Sequence, residues 1–130
     1  MCKTAFDSKK HHIYLRFAIS DLNGVTRYGH GILDTGAPRT EFSDIFLAHI
    51  GLLETRIDSE AFPNGQQTLK YHKLKVHSVE ICGYHFQNTE FIVSSFERSW
   101  GIDALIGLDL FRKCRITIDY SREMIIADPY

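Results

Sequence analysis

Asp34 closes an apolar run, Gly31-Ile32-Leu33, and opens the turn Thr35-Gly36-Ala37. A carboxylate placed there is fixed by the strand behind it, while the glycine lets another backbone come close. Its chemistry would be proton transfer, as base or as acid. The tripeptide Asp34-Thr35-Gly36 is weak on its own. With average residue usage of about 5–7% each, a chain of this length holds it by chance roughly one time in forty. The competing reading is a turn carboxylate that only satisfies neighbouring amides. Its surroundings must decide.

Other reactive side chains have less context. Asp109 fits the first turn of a short helix, where an acid favours the helix dipole, and Asp103 fits a loop. The seven histidines include His11-His12, His72 and His77, but there is no H-E-x-x-H and no metal-ligand spacing. No metal or other cofactor is expected. Cys2, Cys82 and Cys114 are an odd number, widely spaced, without a C-x-x-C pair. That suits a reducing compartment better than a disulfide framework. Cys82 and Cys114 read as small buried hydrophobes, and Trp100 as core or interface packing rather than a pocket wall.

The elements that must hold Asp34 are mostly strands. Ile13, Leu15, Phe17 and Ile19 alternate with polar or small neighbours, the period of a half-buried strand. Asn23-Gly24 signals a hairpin, and the returning strand, Val25 to about Leu33, delivers Asp34 at its end. Ser43 is a helix N-cap, with Phe42 able to pack on Leu47 and Gly51 able to stop the helix. From Thr55 to Ser95 the pattern is extended again, with Pro63-Asn64-Gly65-Gln66 as a turn. The apolar phase slips from Leu69 and Tyr71 to Leu74 and Val76, then to Val79 and Ile81, which predicts a bulge or a strand shared between two sheets. Gly83-Tyr84 marks a tight turn and Phe91-Ile92-Val93 a buried strand. Leu105-Ile106-Gly107 is a short strand, Asp109 to Cys114 one or two helical turns, and Ile116 to Tyr120 and Met124 to Ala127 a final pair. The sum is an all-β, mostly antiparallel fold with one or two short helices. Residues 1–12 read as a polar N-terminal arm and 13–130 as a single domain.

Composition narrows the function classes. The 130 residues are 44% hydrophobic and 24% charged, with a formal net charge of -1. No electrostatic footprint points to nucleic acid or to an anionic membrane. No apolar run reaches the length of a membrane span, and Met1 to Ala5 lacks the features of a signal peptide. A cytoplasmic location is expected.

With the flanks included, the chain resembles the retropepsin-like aspartic peptidases. Ile32-Leu33-Asp34-Thr35-Gly36-Ala37 with Thr40 is similar to the catalytic loop of that family. Phe62-Pro63-Asn64-Gly65-Gln66 is similar to the flap turn of its bacterial members. Ala104-Leu105-Ile106-Gly107-Leu108-Asp109-Leu110-Phe111 resembles the hydrophobic-Gly segment and the helix after it, and Ile118-Asp119-Tyr120 the next strand. Val79-Glu80-Ile81-Cys82-Gly83 is similar to a hairpin of retroviral enzymes. The resemblance runs from about Ile13 to Ala127. Retroviral members commonly carry an acid two positions after the loop glycine and an arginine after the second glycine, which pair. Here those places hold Pro38 and Leu108, so that corner must be stabilised differently; the Gly107-Leu108-Asp109 version looks more like that of cellular DNA-damage-inducible and bacterial members.

The resemblance implies a retropepsin-like closed β-barrel, the acid protease fold, and an aspartic endopeptidase acting on peptide or protein substrates. Two carboxylates about 3 Å apart cannot both ionise, so they share one proton and divide acid and base roles. A chain with one such loop must then pair with its own copy, as an isologous homodimer in which Asp34 meets Asp34. Thr35 would bond across to the partner loop, Gly36 would meet the substrate backbone, and Ala37, Ile106 and Gly107 would support the loop. Pro63, Asn64, Gly65 and Gln66 would close over the substrate as a flap, and the last strand could pair across the dimer. The alternative is a catalytically silent retropepsin-like module that binds peptides or dimerises.

Overall fold

A computed structural model describes residues 1–53, 62–63 and 68–130, with side chains over 1–53 and 72–130. The elements, in order, are β1 (Cys2–Ala5), β2 (Tyr14–Ser20), β3 (Thr26–Leu33), β4 (Glu41–Ser43), α1 (Asp44–His49), β5 (Phe62–Pro63) and β6 (Thr68–Ile81). They continue with β7 (Tyr84–Phe96), β8 (Ala104–Ile106), α2 (Leu108–Phe111), β9 (Cys114–Asp119) and β10 (Met124–Pro129), and Arg98–Trp100 forms a 3-10 turn.

Six strands close on themselves in the order β2-β3-β8-β4-β7-β6, because β6 returns to pair with β2. The chain is therefore all-β and barrel-like, with two short helices. Two of its pairings are parallel, β3 with β8 and β4 with β7. Alternation along β2 turns Leu15, Phe17 and Ile19 inward, each no more than 1% exposed. Phe17 packs edge-on against Phe42 and Phe46, with ring centroids 5.3 and 5.5 Å apart. Gly29, its partner across the hairpin, is needed there: a Cβ would come within 2.5 Å of the Phe17 ring.

The turns follow local chemistry. Gly24 takes φ +77 in the β2–β3 connection. Cys82 and Gly83, with φ 51 and 77, are the two-residue loop joining Ile81 to Tyr84, the positive-φ pair that matches strand twist. Ser43 Oγ caps α1 by accepting from the Phe46 amide at 3.3 Å. At the other end Gly51, φ +82, lets its own amide and that of Leu52 reach back to Ala48 and Leu47, a Schellman ending. The phase slip has two causes. The β6–β7 ladder shifts register between Lys70 and His72, and β6 gains β2 as a second neighbour only at Val79–Ile81.

The termini form a separate three-stranded sheet, β1-β10-β9. Within the polar arm expected at residues 1–12, Cys2–Ala5 is a strand paired with β10, and Phe6 is buried in the core. The charges of Lys3, Lys9 and Lys10 conceal this in the sequence, because one buried aromatic gives no periodic signal. Both edges of β10 are occupied, by β1 and β9 of the same chain. The cross-dimer pairing expected of the last strand is therefore not open to it here. No helix among the described residues is long and apolar enough to cross a membrane.

Candidate active site

β3 ends against β8, with Gly31, Ile32 and Leu33 opposite Ala104, Leu105 and Ile106. The sheet continues one bond further: the Asp34 amide donates to the Ile106 carbonyl at 2.8 Å. Gly31 permits the approach of β8, since a Cβ would sit 3.1 Å from the Ala104 carbonyl oxygen. Asp34 is thus the first residue beyond a ladder anchored on its backbone side.

The turn after it is held from below. The Ala37 amide donates to the Asp34 carbonyl at 3.2 Å, and the Ala37 carbonyl accepts from the Leu108 amide at 2.8 Å. Gly107 lies against this turn so closely that a Cβ would fall 2.6 Å from the Ala37 oxygen and 2.7 Å from the Arg39 oxygen. Thr40, fully buried, is the hub. Its Oγ donates to Asp109 Oδ1 at 2.6 Å and accepts from the Gly107 amide at 3.1 Å. Its own amide donates to Asp109 Oδ2 at 2.9 Å. The Asp109 carboxylate therefore clamps the loop to α2, and Arg112 adds a long bond to the Pro38 carbonyl.

This clamp is how the corner with Pro38 and Leu108 is stabilised. Asp109 does sit in the first turn of α2, and beyond the dipole it binds Thr40. Sequence gave no signal for that bond, because the partners are 69 positions apart. Asp103 is a backbone staple: its Oδ2 accepts from the His30 amide at 3.0 Å, and its amide and carbonyl bond His30 and Ser43.

Above the clamp the loop is open. Asp34 is half-buried, while Thr35 and Gly36 are exposed. Asp34 Oδ1 accepts from the Gly36 amide at 2.8 Å; among the described residues no donor reaches Oδ2. The carboxylate lines a cleft of about 500 Å³ whose apolar walls are Ile32, Leu33, Leu105 and Trp100, with Tyr14, His11 and His12 also lining it. Trp100 stacks on Phe96 at 6.0 Å, and a small cluster of Phe96, Ile102 and Leu105 backs it. Trp100 is thus packed, as expected, and is also a wall of the cleft. Tyr14, His11 and His12 were not expected at the site, since they are polar positions at the start of a half-buried strand.

The remaining residues fall apart from it. Pro63 pairs with Leu69 through its backbone, and Asn64, Gly65 and Gln66 lie outside the described residues. Cys82 and Cys114 are buried; burial pushes the Cys82 thiol up to about 11 and raises that of Cys114, the direction that disfavours the reactive thiolate. Among the described residues no three His, Cys, Asp or Glu side chains group as a metal site requires.

No family model and no curated protein matches the chain. Solved structures do. A retropepsin-like aspartic protease from Rickettsia conorii aligns with TM-score 0.65 at 19% identity, over 97% of this chain and 89% of that one. The retroviral protease-like domain of Ddi1 from Leishmania major aligns with TM-score 0.57 at 18% identity, over 91% and 94%. The closed barrel, the loop that follows β3 and these two likenesses lead to one conclusion: this chain has the retropepsin-like fold.

Proposed function

We propose that the chain is one half of an aspartic endopeptidase, active when two copies pair and bring Asp34 of each together. The observation that carries this is the half-used Asp34 carboxylate, braced from behind and open to an apolar cleft on a retropepsin-like barrel. In the pair, one carboxylate is ionised and takes a proton from water, which attacks the scissile carbonyl. The other is protonated and donates to the developing oxyanion. Thr35, exposed on the loop, has a hydroxyl free to bond to the partner loop, and Gly36 leaves room for the substrate backbone. Pro63 to Gln66 act as the flap.

The test is incubation of the purified protein with a diverse peptide library from acid to neutral pH, beside sedimentation to establish its assembly. Cleavage by the wild type and none by Asp34→Asn is expected, with activity rising as dimer forms by mass action. Equal cleavage by both proteins, or full activity from a monomer, would overturn the reading. Peptide binding by both without turnover by either would instead make the chain a silent binding module.

A further inference from the structure

The three cysteines are scattered along the chain, but the fold gathers them where the terminal sheet meets the barrel. Cys2 lies on β1, Cys82 in the two-residue β6–β7 turn and Cys114 at the start of β9. All three are free thiols, and the chemistry proposed for Asp34 uses none of them.

Alternation along β1 turns Cys2 and Thr4 inward and Lys3 and Ala5 outward. The Cys2 side chain then lies against Gly83: a Cβ there would fall 2.5 Å from both Cβ and Sγ of Cys2. Cys82 is the residue before that glycine, and the two take positive φ, 51 and 77. Burial raises the Cys82 thiol; after burial, the groups that act on it are the Thr4 side chain, then Cys2, then Cys114. The inward face of β1 thus covers the turn, with Cys2 over its glycine and Thr4 acting on its thiol.

The other pairings are poorer. Cys2 stands opposite Ala127 on one side of β10, and Cys114 opposite Pro129 on the other. Two strand spacings separate them, about 10 Å, beyond the roughly 7 Å between Cα atoms that a disulfide can span. Cys82 and Cys114 are both sealed in the core, 5% and 1% exposed, so neither is open to an oxidant from solvent. Cys2 is half-buried and is the thiol that an oxidant can reach.

We propose that Cys2 and Cys82 are a redox pair: a peroxide oxidises Cys2, and Cys82 closes a disulfide onto it that fastens β1 to the barrel. The Cys2 thiolate attacks the peroxide and the O–O bond breaks. Cys2 becomes a sulfenic acid, and the departing oxygen takes the thiol proton and leaves as water or an alcohol. The Cys82 sulfur then attacks the Cys2 sulfur, the S–O bond breaks, and the hydroxyl leaves as water with the Cys82 proton. Two thiols lose two electrons in all, and the peroxide gains them. Burial keeps Cys82 from meeting the peroxide first; Cys2 brings the oxidised sulfur to it. The bond fixes β1 on its edge of β10, and reduction releases it.

The wild-type protein is treated with hydrogen peroxide under native conditions, its remaining thiols are blocked with N-ethylmaleimide in denaturant, and it is mapped by mass spectrometry without reduction. The expected product has lost two hydrogens, joins the peptides of Cys2 and Cys82, and leaves only Cys114 to be blocked. Dithiothreitol should restore all three thiols. Because the bond closes a long loop, the melting temperature should rise by about 5–10 °C on oxidation and return on reduction. Cys114→Ser should close the same bond, and Cys2→Ser should form none within the chain. Cys2 driven on to sulfinic acid with Cys82 still a thiol, a bond between Cys82 and Cys114, or linkage only between two copies through Cys2 would overturn the inference. The wild-type map decides even where a variant fails to fold.

Discussion

Asp21 and Asp34 each follow a strand of the same hairpin and each open a turn, yet their carboxylates are used in opposite ways. Asp21 is 7% exposed. Its Oδ1 accepts from the amides of Asn23 and Val25, both at 2.9 Å, and its Oδ2 accepts from Arg27 Nε at 3.1 Å. Asp34 accepts one amide, that of Gly36, and turns its other oxygen to a cleft. Asp21 is the turn carboxylate that competed as an explanation of Asp34. The difference teaches that two acids of the same local sequence setting part in their bonds: Asp21 is spent on its own turn, while Asp34 keeps one oxygen open beyond a backbone anchored to β8.

Breaking the comparison begins with exchange of each acid for its amide. Asp34→Asn should lower peptide turnover by about a thousand-fold or more, the scale of a lost acid–base group. Its melting temperature should hardly move, because the amide oxygen still accepts from Gly36. Asp21→Asn should retain turnover. If both variants lost activity alike, the two carboxylates would not differ in role.

Next comes the brace behind the loop. Gly107→Ala forces a methyl into the Ala37 and Arg39 backbone, and overpacking of this kind costs about 3 kcal/mol. Chemical denaturation should show a lower midpoint, with turnover reduced as the loop shifts. An unchanged midpoint would mean that the contact is loose.

Asp109→Ala removes both bonds to Thr40 and should cost about 2 kcal/mol, as for buried bonds to a charged group. Thr40→Val should match it only in part, because the Thr40 amide keeps its bond to Asp109. Thermal melts of the two single variants and the double variant test the coupling; strictly additive losses would separate residues that the structure joins.

The smallest effect lies in the acid limb. The Val25 amide, then the Arg27 guanidinium and the Asn23 amide, hold the Asp21 carboxyl below its usual range against the opposing effect of burial. A lowered folded value means that its stabilisation is present above the unfolded value, about 3.9, and is lost as pH falls through the folded one. Melting temperature should therefore fall more steeply below about pH 4 in the wild type than in Asp21→Asn. Superimposable acid limbs would remove Asp21 from the balance.

Much of this was readable in the chain because it depends on neighbours. The strand Val25 to Leu33, the Ser43 cap, the Gly51 stop and the Gly83 turn are set by residues within a few positions of each other, and the structure has Thr26–Leu33, α1 and the β6–β7 turn in those places. Three things escaped. β4, at Glu41–Ser43, is too short for a period. β1 was hidden by the lysines near it. The parallel partnership of β3 and β8 joins segments some seventy residues apart, and no local signal states which strands lie side by side.

Asp34, with its glycine turn and its apolar strand, was fixed by sequence alone, since a strand end and a tight turn are matters of adjacent dihedrals. The clamp of Thr40 by Asp109, the close seat of Gly107 and the cleft walled by Trp100 were decided only in three dimensions. Each joins residues far apart along the chain, and their geometry exists only once β8 has zipped beside β3 and the barrel has closed.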